Sequence, residues 1–322
     1  MNQAMSDHRM PVALIGARGY TGAELLRLLA GHDALRLALA ASGESAGRPI
    51  ASEVPEWPDA DQCFQALTPD DVGSIDAKVW VLAVPNGKTG PWTEAIGRHC
   101  PDAVIVDLSA DHRFDPAWAY GLPELNRPAI RGARRIANPG CYATAAQLGL
   151  APLAGRLTGA PVVFGVSGYS GAGRTPNPRN DPERLRDNLI PYSLTGHVHE
   201  REISTRLGTD VRFHPHVAPF FRGISLTIAT TLQSAVDADQ VHAHYTDFYA
   251  GERLVRVRKA IPEIRDLEPR TGALIGGFAV DARDPTRLSL VVVLDNLLKG
   301  AASQAMQNIH LALGLDEFEG LG

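Results

Sequence analysis

The feature that most restricts the fold is a glycine-spaced turn, Gly16-Ala17-Arg18-Gly19-Tyr20-Thr21-Gly22, set between an apolar run at residues 11–15 and a helically spaced apolar pattern at 23–29. A strand that hands over to a helix through such a turn leaves bare amides at the helix start. A pyrophosphate can reach them only where side chains are absent. Strand-length apolar runs follow at 35–41, 78–84 and 103–108, separated by stretches long enough for helical crossovers. This alternation predicts an α/β chain built on a Rossmann-type, doubly wound parallel sheet. Past residue 150 the texture changes. Strand-like runs at 162–166, 224–232, 254–257, 274–280 and 288–294, several joined by connections without helical periodicity, predict a second α+β domain with a mixed sheet. The polar, proline-containing stretch 174–186 reads as an exposed loop leading to a helix, and 300–313, ending at Gly314, as a closing helix packed on the first domain. The expected boundaries are 10–141, completed by a C-terminal helical segment 300–322, for the dinucleotide domain and 142–299 for the second.

Composition narrows the function classes. A net charge of −5 argues against a nucleic-acid surface. No apolar run approaches the roughly 20 residues of a membrane helix, and the polar opening at 1–9 has no signal-peptide pattern, so a cytoplasmic location is expected. Three scattered cysteines exclude a disulfide framework and a structural zinc motif.

Cys141 stands apart from Cys63 and Cys100. It follows Pro139-Gly140 and precedes a helical pattern at 145–151, and a helix start stabilises a thiolate through free amides and the helix dipole. A nucleophilic thiol needs a proton partner that titrates near neutrality, and His197, in Thr195-Gly196-His197-Val198-His199, is the candidate. Three His-x-His pairs, 197/199, 214/216 and 242/244, raise the question of a metal. No carboxylate completes a recognisable ligand spacing, so none is expected. At the cofactor turn, Gly16, Gly19, Tyr20, Thr21 and Gly22 would cradle phosphate. The second strand ends at Ser42-Gly43 without the acidic residue that holds a free ribose 2′-hydroxyl, which favours NADP(H), with Arg18 and Arg48 as candidates for the 2′-phosphate. Arg113, in the run Asp107 to Phe114 beyond a first-domain strand, could clamp an anion and Ser109 could add a hydrogen bond; equally, the run could be a solvated loop with a helix cap at Ser109 or Asp111. The segment Ser167 to Arg174, with Ser170, offers amides to a polar ligand or is only a connection.

GARGYTGAELL, DLSADHRF, YGLPELNR, ANPGCYAT, SGYSGAGR, the His-x-His segment with Glu202 and Ile203, HPHVAPFFRGI and DNLLKGAA occur in this order along almost the whole chain. With these motifs the chain resembles the N-acetyl-gamma-glutamyl-phosphate reductase family of arginine biosynthesis, which is related to aspartate-semialdehyde dehydrogenase. The resemblance implies NADPH-dependent reduction of N-acetyl-gamma-glutamyl phosphate to N-acetyl-glutamate 5-semialdehyde and phosphate through a thioester on Cys141. It implies His197 as base, His199, Glu202, Arg113, Ser109 and Ser170 at the substrate, and Pro85 and Asn296 at the cofactor. It also implies that residues 142–299 carry catalysis and dimerisation, in a homodimer or homotetramer. Arg18, His112 and Arg201 depart from the family's commoner serine, aromatic and proline. Two other readings stay open: a reductase for aspartyl or acylated aminoadipyl phosphate, and an NADP-binding sensor without turnover.

Overall fold

The computed structural model describes residues 8–321; residues 1–7, which form most of the polar opening, and Gly322, the end of the expected closing segment, lie outside the described residues. The chain divides into two compact units. One comprises the residues up to Asn138 together with Ala305–Leu321, the other Pro139–Gln304.

The first unit holds a six-stranded sheet built from β1 (Met10–Ile15), β2 (Leu35–Ala41), β3 (Val79–Leu82), β4 (Val104–Asp107), β5 (Ala119–Tyr120) and β6 (Arg135–Ala137). Its order is β2-β1-β3-β4-β6-β5, and every neighbouring pair is parallel. All four residues of β3 and all four of β4 are buried, as befits parallel strands covered on both faces. The crossovers include α1 (Tyr20–Leu29), α2 (Gly90–His99) and α3 (Pro123–Ile130). Helix α1 starts three residues before the apolar pattern that announces it, because Gly19 takes the N-cap position and the first turn carries the turn's own polar residues. The strand expected at 78–84 keeps only Val79–Leu82.

The second unit holds a seven-stranded mixed sheet of β7 (Leu157–Gly168), β8 (Ile190–Pro191), β9 (Arg212–Ala218), β10 (Ile224–Leu232), β11 (Val255–Val257), β12 (Ala273–Asp281) and β13 (Asp284–Leu294). The order is β11-β12-β13-β10-β7-β9-β8, with β11/β12 and β7/β9 parallel and the other pairs antiparallel. Its helices are α4 (Cys141–Leu150), α5 (Pro182–Leu185), α6 (Val198–Leu207) and α7 (Ala238–Phe248). Every residue of α4 after Cys141 is buried, and a side chain at Gly149 would strike Ile228 and Val292, so the helix lies tight on β10 and β13. A helix apolar on all sides belongs in the interior. Its N-terminal residue, Cys141, is the one that keeps partial exposure. α4 begins at Cys141 rather than at the periodic stretch 145–151, since Gly140 caps it and the Thr144 amide closes the first helical turn on the Gly140 carbonyl.

Helix α8 (Ala302–Leu313) starts in the second unit and runs into the first. Within the first unit Asn308 donates to the Gly121 carbonyl and to Asn138, both at 2.9 Å. His310 meets His32 at 2.9 Å between their Nε2 atoms. His32 Nδ1 accepts the Ala34 and Leu35 amides, which places its proton on Nε2 and makes it the donor; His310 then donates from Nδ1 to the Glu317 carbonyl. Burial lowers both imidazole pKa values, in keeping with a neutral chain of bonds.

Candidate active site

The thiol comes first. Cys141 is the N-terminal residue of α4, where the amides of the first turn have no partner within the helix. The Gly140 amide donates to Glu202 Oε1 at 3.0 Å, and Glu202, on α6, is fully buried. The carboxylate expected at the substrate therefore holds the peptide before the thiol. On another side, a side chain at Gly300 would come to 2.7 Å from the Cys141 Cβ, so the backbone there confines the cysteine.

His197 is the N-cap of α6, and its Nδ1 accepts the His199 amide at 3.1 Å. A neutral ring bonded in this way carries its proton on Nε2. Burial, and secondarily the charge of Arg179, push its pKa down to about 4, against a weaker upward pull from Glu200. The imidazole is thus neutral at physiological pH. Its ring lies 4.8 Å from that of His199, 5.3 Å from Phe213 and 5.5 Å from Tyr192. Tyr142, next to the thiol, packs 4.9 Å from Phe213 and 6.0 Å from His199, and its hydroxyl donates to the His216 carbonyl at 2.8 Å. Phe213 thus packs on both His197 and the residue after the thiol, and Tyr192 adjoins His197. The Tyr192 pKa is pushed up to about 12 by burial and by the negative charge of Cys141, against a downward pull from Arg179 and Tyr142. Cys141, His197, His199 and Glu202 therefore belong to one cluster. Tyr192, Phe213 and Arg179, which sequence reasoning did not single out, complete it. Only the position of Ile190-Pro191-Tyr192 shortly before His197 could have signalled the tyrosine.

Glu202 yields a prediction here. Glu202→Ala leaves a buried amide without its acceptor, a loss of about 1–3 kcal/mol, so the melting temperature and kcat should both fall, whereas Glu202→Gln, which keeps an acceptor oxygen, should retain most of both. Thermal melts with steady-state rates check this, and an alanine variant with unchanged melting temperature and rate would refute the positioning role.

Ser170 and Asn296 meet in the same unit. Asn296 donates to Ser170 Oγ at 2.9 Å and accepts the Gly223 amide at 2.7 Å, so its carboxamide is fixed from both ends.

In the first unit, Gly16 has φ +83, and a Cβ there would run into the Ala83 carbonyl, as one at Gly22 would into that of Ala17. Glycine is required at both. The first turn of α1, Tyr20, Thr21 and Gly22, has neither a side-chain cap nor an acidic residue, which leaves its amides suited to a pyrophosphate. Arg18 pairs with the exposed Glu44 at 2.6 Å, Ser42 Oγ accepts the Ser45 amide, Arg48 is exposed, and Pro85 opens an exposed turn after β3. Asp111 ties that turn to the segment after β4, accepting the Gly87 amide and the Thr89 hydroxyl, both at 2.6 Å. Ser109 donates to the buried Asp107 at 2.9 Å, and His112 lies 2.7 Å from the same carboxylate while stacking on Trp118. Arg113, read as a substrate clamp, is almost fully buried and donates to the Leu108 and Asn138 carbonyls at 2.9 Å each.

The His-x-His pairs do not share one setting. Only 214/216 lies on a strand, β9; 197/199 caps a helix and 242/244 is inside α7, where residues two apart do not share a face. Among the described residues no group of three or more His, Cys, Asp or Glu is arranged to hold a metal ion.

Comparison with known proteins agrees with this layout. Residues 11–133 match the family model described as semialdehyde dehydrogenase, NAD binding domain, and 141–296 the model described as semialdehyde dehydrogenase, dimerisation domain. The chain is 50% identical over 311 residues to the N-acetyl-gamma-glutamyl-phosphate reductase of Xanthomonas campestris, covering 97% of this chain and 98% of that protein. It is likewise 50% identical over 313 residues to the enzyme of that name from Stenotrophomonas maltophilia, with the same coverage. Among solved structures, aspartate semialdehyde dehydrogenase II of Vibrio cholerae superposes with a TM-score of 0.77 at 20% identity, over 95% of this chain and 98% of that one, a likeness of fold. The chain belongs to the semialdehyde dehydrogenase family, within its N-acetyl-gamma-glutamyl-phosphate reductase branch.

Proposed function

We propose that this protein reduces N-acetyl-gamma-glutamyl phosphate to N-acetyl-glutamate 5-semialdehyde and phosphate with NADPH, as the names of its relatives indicate. The observation that carries the reading is the placing of Cys141, at a helix start, and His197, neutral at physiological pH, about one ring, since Phe213 packs on both His197 and Tyr142, the residue after the thiol. The Cys141 thiolate attacks the acyl carbon, a C–S bond forms, the C–O bond to phosphorus breaks, and phosphate leaves. NADPH, when bound, supplies the hydride that reduces the thioester. The resulting thiohemiacetal loses its C–S bond, giving aldehyde and regenerating the thiolate. Amides of the first turn of α4 are placed to stabilise the negative charge on sulfur. His197 exchanges the proton at Nε2. In the geometry described Nδ1 accepts the His199 amide and Nε2 carries the proton, so before Nε2 can take a proton the ring must shift its own to Nδ1, which releases the His199 amide.

The first unit would bind the cofactor, through Gly16, Arg18, Gly19, Tyr20, Thr21, Gly22, Ser42, Arg48 and Pro85; Asn296, the other residue the family resemblance assigns to the cofactor, belongs to the second unit. A 2′-phosphate would compete with Glu44 for Arg18. In the reverse direction, with phosphate and NADP, the purified protein should oxidise N-acetyl-glutamate 5-semialdehyde in strong preference to aspartate semialdehyde. The opposite preference would overturn the substrate choice, and no turnover of either would favour the sensor.

We further propose a cytoplasmic homodimer or homotetramer. Among the described residues no helix is long and apolar enough to cross a membrane. One face of the second sheet carries Val162 and Phe164 of β7, registered with Ala229 and Thr227 of β10, all four exposed. That is a broad, weakly polar face of the kind that assembly covers. Light scattering should give a multiple of 34.5 kDa, and a monomeric particle would contradict it.

A further inference from the structure

We propose that Arg179 is a substrate-recognition residue, whose guanidinium binds an oxyanion of the substrate beside Cys141 and His197; the inference rests on the acyl-phosphate reading above.

The stretch 174–186 is folded back on itself by its asparagines. Asn180 donates to the carbonyls of Gly173 and Thr175 at 2.8 and 2.9 Å and accepts the Asn177 amide at 2.8 Å, while Asn177 accepts the Arg179 amide at 3.0 Å. The arginine is thereby presented from an ordered turn. Its guanidinium carbon stands 4.9 Å over the Tyr192 ring, so it faces the ring that adjoins His197. The side chain is exposed, and among the described residues no carboxylate pairs with it. The nearest acidic residues in sequence are engaged elsewhere: Asp181 caps the Glu183 amide, and Glu183 pairs with Arg186 at 2.6 Å. A cation held against an aromatic ring with no anion beside it is equipped to take one from outside.

The reaction needs such a cation. A thiolate attacking an acyl phosphate brings negative charge toward a substrate that is already anionic at its phosphoryl and carboxylate ends. Arg113, the residue expected in this role, directs donors to the Leu108 and Asn138 carbonyls. Within the cluster around Cys141, Arg179 is the cation whose charge is felt at His197. A planar guanidinium matches carboxylate and phosphate alike through two parallel hydrogen bonds.

The reverse reaction separates the two anions, because phosphate and semialdehyde then enter as independent substrates. Arg179→Met, which keeps the stem over Tyr192, should raise KM for one of them by about tenfold or more with kcat within about threefold. Arg179→Lys should fall between. A rise for phosphate assigns the residue to the phosphoryl end, and a rise for the semialdehyde to the carboxylate. The acid limb of the rate profile should also move to higher pH, since removing a positive charge makes His197 easier to protonate. Both KM values within twofold of the unmodified protein would overturn the proposal, as would a loss confined to kcat and melting temperature. If the unmodified protein itself turns over no semialdehyde, the functional reading fails instead.

Discussion

Cys141→Ser should lower kcat/KM by at least about a thousandfold while cofactor affinity and melting temperature stay near those of the unmodified protein. A hydroxyl at this position has the same helix-start amides around it, yet it does not ionise at neutral pH, and an oxygen ester accepts hydride less readily than a thioester. Loss of the nucleophile acts on the chemical step alone. The Gly140 amide remains bound to Glu202, and Gly300 has, if anything, a smaller neighbour. Steady-state kinetics with a cofactor titration check this. A serine variant within tenfold of the unmodified rate would mean that attack occurs elsewhere.

His197→Asn should cost about 10²–10⁴ in kcat, the usual range for a lost acid–base group. The side chain keeps an oxygen that can cap the His199 amide, so the start of α6 should survive and the loss can be read as chemical. The pH dependence carries a sign of its own. The reacting form is the neutral imidazole, and its pKa is pushed down to about 4 by burial and Arg179. The acid limb of kcat/KM set by this residue should therefore lie near pH 4, with activity flat between there and neutrality so far as His197 is concerned, and the asparagine variant should lack that limb. A limb near the ordinary imidazole value of 6.5 in the unmodified protein would show that the ring is more solvated than its surroundings indicate.

The parts of the fold that could be read from the sequence are those in which one physical signal dominated. Residues 35–41 and 224–232 become strands with those bounds, because each is a continuous or alternating run of strand length with turn residues beyond it. The glycine turn is legible because backbone crowding at Gly16 and Gly22 leaves no substitute. Strand β9 was obscured by Pro215 and by His214 and His216, which occupy its less buried face. Helix α7 offers only Val241 and Tyr245 to the interior, too few for a periodic pattern. Strands β5 and β6, two and three residues long, are set by their partners in the sheet.

The candidate site shows the same division. Cys141 and His197 carry local signatures, a helix start and a pairing of histidines. Tyr192 and Arg179 carry none, since what brings them to His197 is the packing of β8 on β9 and the folded turn that presents the arginine. Glu202 was named from the family resemblance alone. Its hydrogen bond with the Gly140 amide is a fact of three dimensions. Arg113 was legible as a basic residue beyond a parallel strand, whereas its burial and its bonds to the Leu108 and Asn138 carbonyls are not local signals.

The most direct measurement is mass spectrometry of the protein quenched in acid after mixing with N-acetyl-gamma-glutamyl phosphate in the absence of NADPH. The account predicts a mass increase of one N-acetylglutamyl group on the peptide containing Cys141, absent in Cys141→Ser and discharged when NADPH is added before the quench. A protein that turns over its substrate yet shows no adduct at Cys141, or carries it on another residue, would contradict the account.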